Sequence, residues 1–254
     1  MQTSFIDRYS RLESHIHNLN PRIKIIVLIS FIFFVIFTPT VEFTKFYFYF
    51  LVIFSIILLS KVPPAFIFKR SLVIIPFVFL VAVFAPFLKE GEVIASYPFW
   101  FFELGVTHEG VMVFLNALIK SWLSVLSMVT LVSTTTPPEI LKGFERLKMP
   151  RVIVMIISFM YRYIFVLVEE LMAMKTARDS RSFGGGRIWH IKTIGNLVAV
   201  LFIRSYERGE RVYYSMLSRG FDGSIRTLDD TRIRGVDVLF AIMIFLILTL
   251  ILIF

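Results

Sequence analysis

The chain has 254 residues, 57% of them hydrophobic and 29 of them phenylalanine, with a formal net charge of +9 and no cysteine. A soluble domain carries about 45–50% apolar residues, so the excess, gathered in long runs with few charges, argues against a soluble protein and for membrane spans. The missing cysteine excludes disulfides, cysteine nucleophiles and thiolate metal sites, and in an oily chain the positive charge is first a topology signal.

The opening stretch "MQTSFIDRYSRLESHIHNLNPR" is polar. It lacks a short apolar core followed by a cleavage site, so it reads as mature sequence and not as a signal peptide. Five apolar runs follow, at about Ile23–Phe37, Phe46–Leu59, Leu72–Leu88, Val111–Val132 and Val236–Phe254. Each is expected to cross roughly 30 Å of hydrocarbon, the first two with help from their flanks. Asn116 and Lys120 interrupt the fourth run. A lone lysine in a span usually faces other helices or snorkels, so Lys120 reads as a helix-contact residue and not as part of a transport path.

Orientation follows from the loops. Arg8, Arg11, Arg22 and Lys24 precede or open the first run, and Lys61, Lys69 and Arg70 lie in the second loop. Between the third and fourth runs Lys89 is outnumbered by Glu90, Glu92, Glu103 and Glu109. The N-terminus is therefore expected inside and the loop "KEGEVIASYPFWFFELGVTHEG" outside.

Thr135–Gly235 holds 17 of the chain's 27 Lys and Arg. It opens with "TPPEILKGFERLKMP", where Thr136 and Glu139 have capping-box spacing and Pro137 suits a first helical position. A short helix should stop before Pro150. Two long helix-like segments come next, beginning at Arg151 and Arg187, each apolar first and charged later. Each would be roughly 45–50 Å long. If both crossed the bilayer, the connector with Lys175, Arg178, Arg181, Arg187 and Lys192 would lie outside, against the charge rule. If one crossed, two equally basic ends would lie on opposite sides. The reading adopted is that neither crosses fully and both lie under or partly in the bilayer. Arg162 within the apolar half points the same way, since arginine is expensive in lipid.

These two segments end in nearly the same phrase, "SRSFGG" at Ser180–Gly185 and "SRGFDG" at Ser218–Gly223. One account is capping: glycines stop helices, and a cation suits the last turn. Capping by itself explains neither the repetition nor a Phe two residues after each Arg. Two tips that each present an arginine and an aromatic suggest a partner with two equivalent grooves, because those residue types anchor interfaces.

The stretches "DRYSRLESHIHNLNPRIKII", "TTPPEILKGFERLKMPRVIVMIISFMYRYIFVLVEE" and "RSYERGERVYYSMLSRGFDG" occur in that order. Through them the chain resembles the transmembrane T component of energy-coupling factor (ECF) transporters, of the cobalt or nickel type called CbiQ. The resemblance implies two coupling helices, each ending in an Ala-Arg-Gly or Ala-Arg-Ser triplet whose arginine docks into a groove of an ATPase subunit. Those triplets fall on Ser180-Arg181-Ser182 and Ser218-Arg219-Gly220, with Ser in place of Ala, followed by Phe183 and Phe221. Ala177-Arg178-Asp179 is a rival register for the first. The partners implied are two CbiO-like ATP-binding cassette subunits, a CbiM/CbiN-like substrate-binding membrane subunit and the lipid bilayer, with no nucleic acid. The metal is expected on a separate subunit, in a bacterial or archaeal cell membrane.

Other chemistry finds little support. No GxxxxGK[ST], HExxH or nucleophile elbow occurs, so neither ATP hydrolysis nor another catalytic activity is expected of this chain. His15 and His17 lack a carboxylate cluster and do not read as a metal pair; neither cofactor nor metal is expected. Glu169, Glu170, Glu207 and Glu210 read as partners in helix-face ion pairs, and the basic tract could hold anionic lipid heads. The fold class expected is an all-α integral membrane protein of about five spans with a region of long coupling helices. Its parts are 1–133 (four spans), 134–235 (coupling region) and 236–254 (last span). Alternatives are the T component of a vitamin ECF importer, or a membrane-embedded enzyme or adaptor with a basic docking region.

Overall fold

The computed structural model describes residues 14, 16–39, 42–88, 93–99, 102–181, 186–223 and 233–254. Among the described residues the regular structure is helical apart from one hairpin, as expected of an all-α membrane protein. It divides into two compact units, residues 1–143 with 231–254, and residues 144–230.

In the first unit, helix α1 (Pro21–Phe37) starts at a proline, and the Asn20 side chain accepts from the Arg22 amide at 3.1 Å. Asparagine is a favoured cap and proline a favoured first residue. Helix α2 (Phe43–Leu59) follows, also 17 residues long.

The run read from the sequence as Leu72–Leu88 starts earlier and is broken. It forms α3 (Pro64–Ser71), a 3₁₀ turn (Leu72–Ile74), α4 (Ile75–Ala82) and α5 (Ala85–Leu88). Pro76 has no amide to continue the ladder backwards, which accounts for the tightened turn before it. The glutamate-rich loop contains strands β1 (Val93–Phe99) and β2 (Phe102–Thr107), an antiparallel hairpin closing at Phe99 opposite Phe102.

Helix α6 (His108–Thr134) is capped by Thr107, whose hydroxyl accepts from the Gly110 amide at 3.3 Å. Gly110 lies against α5; a Cβ there would come within 2.6 Å of Pro86 Cα and 2.7 Å of the Ala85 carbonyl. Helix α7 (Pro137–Arg146) has the expected Glu139 carboxylate on the Thr136 amide at 3.0 Å. Helix α10 (Gly235–Ile253) completes the unit. The second unit consists chiefly of α8 (Arg151–Arg181) and α9 (Arg187–Leu217), 31 residues each.

Among the described residues four stretches are long and apolar enough to cross a membrane: Pro64–Ala82, α6, α8 and α10. Helices α1 and α2 are shorter and strongly apolar. Phe31, Tyr49, Ile53, Leu126 and Leu248 are fully buried and tie α1, α2, α6 and α10 into one core. Phe50, Phe68 and Trp122 form an aromatic cluster joining α2, α3 and α6, and the Trp122 indole donates to Ser71 Oγ at 3.1 Å.

Three lysines close the carboxyl ends of neighbouring helices. Lys24 of α1 donates to the Thr134 carbonyl at the end of α6 (3.1 Å) and to the His17 carbonyl (3.0 Å). Lys120 of α6 donates to the Ile36 and Thr38 carbonyls at the end of α1, at 3.0 and 2.7 Å. Lys45 of α2 donates to the Leu252 carbonyl at the end of α10 (2.9 Å) and pairs with Glu42. Lys120 is thus a helix-contact residue, the reading taken from its isolation in the sequence.

The same bonds fix direction. The start of α1 and the end of α6 meet at Lys24. The start of α10 joins them there, because the buried Asp237 accepts from the Asn20 amide at 3.2 Å and from the Arg234 amide at 2.8 Å. Helix α7 begins two residues after α6, so α7 and α10 start at one end of the first unit.

Replacing Lys120 with Met keeps the length and removes the donor. Two carbonyls at the end of α1 lose their cap, at a cost of about 1–3 kcal/mol. The expected result is a lower Tm in detergent with normal membrane insertion, and substantial recovery in Lys120→Arg; an unchanged Tm for Lys120→Met would contradict the capping role.

Candidate functional site

The end of α7 sets up the second unit. The Lys148 amide donates to Glu145 and the Met149 amide to Phe144, at 3.2 and 3.1 Å, with Lys148 at φ +68°. This is the paired-bond helix stop that closes with one left-handed residue, and Pro150 then leads into α8.

Helices α8 and α9 meet near their middles. Glu170 of α8 spreads its carboxylate across one turn of α9, with Oε1 3.2 Å from Arg204 and Oε2 3.3 Å from Arg208. Beside this pair runs a groove lined by Phe159, Tyr163 and Leu167 of α8 and by Ser205 and Gly209 of α9. Of the glutamates read as helix-face partners, Glu207 does pair along its own helix, with Arg211 at 3.8 Å. Glu170 instead reaches the other helix. The clue lay in the 38-residue offset of the repeated phrase: it matches Glu170 with Arg208, opposite charges at equivalent positions.

Beyond this meeting point, both helices run to the repeated phrase. Ser180 donates to the Thr176 carbonyl at 3.0 Å, and Ser218 to the Tyr214 carbonyl at 2.9 Å, the same four-residue back-bond. Arg181 is the last residue of α8 and is exposed, as is Arg219. Neither has an ion-pair partner among the described residues. Arg178, the rival, is engaged by Asp179, with Nε to Oδ1 at 2.9 Å. Ser182, Phe183, Gly184 and Gly185 lie outside the described residues.

The second copy is fully described, and its backbone revises one expectation. The Gly220 amide donates to Leu217 and the Phe221 amide to Met216, at 3.0 and 3.1 Å, with Gly220 at φ +77°. This is a Schellman stop, in which Arg219 is the cap residue and Phe221 occupies the position that commonly carries an apolar contact. In the second copy the Phe221 backbone therefore takes part in the cap. Capping accounts for the arginine only through the modest preference for a cation at a helix carboxyl end, about 0.3–1 kcal/mol.

Other residues singled out in the sequence are elsewhere. His17 Nδ1 is 2.7 Å from Ser14 Oγ, His15 lies outside the described residues, and Arg162 is exposed on α8. Among the described residues no three His, Asp or Glu side chains cluster as metal ligands would. Apolar side chains such as Ile156, Met160, Phe165, Val198, Phe202 and Ile203 are exposed along α8 and α9. Apolar faces exposed over such lengths mark contact with a membrane or with other proteins.

Comparison with known proteins narrows that class. The family model described as "Cobalt transport protein", CbiQ, matches residues 13–229, and the chain belongs to this family. An energy-coupling factor transporter transmembrane protein EcfT of Bacillus selenitireducens is 30% identical over 86% of this chain and 84% of its own. A putative fused cobalt transport protein CbiMQ of Methanocorpusculum labreanum is 30% identical over 67% of this chain, which spans 29% of that larger protein. An uncharacterized protein of Methanocaldococcus jannaschii is 28% identical over 98% of this chain and 86% of its own. The chain is the transmembrane T component of an ECF transporter, a membrane transport subunit.

Gly220 supplies a direct test of the stop. A side chain at φ +77° is strained by about 1–2 kcal/mol unless it is Asn or Asp. Gly220→Ala is expected to speed amide hydrogen exchange through the last turn of α9, and Gly220→Asn to leave it near the parent rate. Equal exchange in all three proteins would remove the motif's contribution.

Proposed function

We propose that this T component couples ATP hydrolysis by two cytoplasmic ATPase subunits to uptake of a transition-metal cation, with Arg181 and Arg219 as the coupling contacts. The observation that carries the reading is the equivalence of the two tips. Each is an exposed arginine without an ion-pair partner among the described residues. Arg181 is the last residue of its 31-residue helix and Arg219 lies two residues beyond the end of its own, and each follows a serine bonded back to its helix. An arginine fork suits bidentate pairing with a carboxylate on a partner. Ser182, Phe183, Gly220 and Phe221 complete the two docking surfaces in this reading.

Topology supports a cytoplasmic second unit. Helices α7 and α10 start at the same end of the first unit, so the segment between them crosses the membrane an even number of times or not at all. Helix α8 has a window apolar enough to cross and α9 does not qualify. Two crossings are therefore disfavoured, and a single crossing would not return the chain to the end where α10 starts. With the positive-inside bias, that end and the N-terminus are cytoplasmic.

For cargo, the family description and the fused relative both name cobalt, which supports cobalt over a vitamin. The fused relative also supports a CbiM-like substrate-binding partner. The chain is read as non-catalytic, with nucleotide and metal handled by other subunits.

The experiment is pull-down of the ATPases with uptake of labelled cobalt and nickel. Truncating one partner of a desolvated charged pair costs about 2–5 kcal/mol. Arg181→Ala and Arg219→Ala should each weaken ATPase binding or uncouple hydrolysis from uptake, with Arg→Lys a partial rescue. Normal assembly and uptake in the double Ala variant would overturn the reading.

Topology has its own test in a chain without cysteine. A cysteine replacing Gly185 should resist an impermeant reagent applied outside intact cells and react after lysis; labelling from outside would place the tips on the wrong side.

A further inference from the structure

The two arms beyond the meeting point of α8 and α9 are equal. Arg181 lies eleven residues after Glu170, and Arg219 lies eleven residues after Arg208. At 1.5 Å per residue each arm is about 16 Å long. The bond at the junction joins residues that the 38-residue repeat makes equivalent, Glu170 and Arg208. Two like helices that touch at equivalent positions are related by an approximate twofold at that point, so whatever sits at equal distances along them is matched in height.

Few side chains could hold this register. The groove beside the junction is open, and a Cβ on Gly209 would meet nothing within 4 Å. Apolar contact there is slack and tolerates sliding. Glu170 does not. Its two oxygens take two arginines one turn apart, and sliding α9 by one residue would break one bond and aim the other away. The carboxylate is also the most covered of the three groups, with its side chain 16% exposed against 54% for Arg204 and 37% for Arg208.

We infer that Glu170 is the positioning residue for both tips: by bridging Arg204 and Arg208 it holds the junction where the arms are equal, so that Arg181 and Arg219 reach two identical partners together. The inference rests on the coupling reading above for its consequence and not for its geometry. Both arginines reach solvent, where charge pairing contributes little to stability, so loss of Glu170 changes the register of the helices more than their folding.

Two measurements on the full chain, assembled with its ATPases, test this. Spin labels go on Lys175→Cys and Tyr213→Cys, exposed and equivalent positions on the two arms. The parent should give one narrow distance distribution and Glu170→Gln a broad one. Reversing all three charges, with Glu170→Arg, Arg204→Glu and Arg208→Glu, should restore a narrow one. In the same proteins without labels, Glu170→Gln should keep the ATPases bound while cobalt uptake per ATP hydrolysed falls about tenfold, a misplacement effect. An unchanged distribution in Glu170→Gln overturns the inference. If the Arg181→Ala, Arg219→Ala double variant transports normally, the coupling reading fails, and the distances still decide the role of Glu170.

Discussion

The fold depends on how the free carbonyls at helix carboxyl ends are satisfied in an environment without water. Each helix leaves its last carbonyls unpaired, and in hydrocarbon each orphan costs several kcal/mol. Here the donors are lysines of neighbouring helices. Lys24 serves the end of α6, Lys120 the end of α1 and Lys45 the end of α10. A cation is also the charge that the negative end of a helix attracts. The expense of a lysine in an apolar layer is therefore offset twice, by hydrogen bonds and by the helix dipole. Helices α1 and α6 cap one another from opposite ends, which fixes their antiparallel register in a way that apolar packing alone does not.

The same register gathers several helix ends of the first unit at one place. The Lys24 end gathers Asn20, Thr134, Glu139 and Asp237, the starts of α1, α7 and α10 and the end of α6. The chain leaves this end through α7 and comes back to it at α10.

What could be read from the sequence was local. Apolar runs, the Thr136–Glu139 spacing, Pro150 as a stop and the two long helices all depend on residues within a few turns of one another. What could not be read involved distant partners or competing local signals. Lys69 and Arg70 hid the start of α3, because charge ended the apolar run before the helix began at Pro64. Pro76 and Pro86 were in view, but a run of Leu, Val, Ile and Phe masked the breaks they impose. The hairpin in the glutamate-rich loop depends on cross-strand pairing. The junction at Glu170 was concealed for another reason: its partners lie 34 and 38 residues away, and charges at three- and four-residue spacing on the same helices offered a nearer explanation.

The arginines of α8 and α9 separate by what they already hold. Arg178 is bound to Asp179, Arg204 and Arg208 to Glu170, and Arg211 to Glu207. An arginine engaged within its own subunit must give up that partner before it can take another, and the exchange returns little. Arg181 and Arg219 have nothing to give up among the described residues. Their serines are bonded back to the helix, and at Arg219 the backbone stop is already complete, so the Arg219 side chain is not needed to end its helix. An exposed guanidinium with no ion-pair partner among the described residues has less to give up on meeting a carboxylate from outside the chain than one already paired.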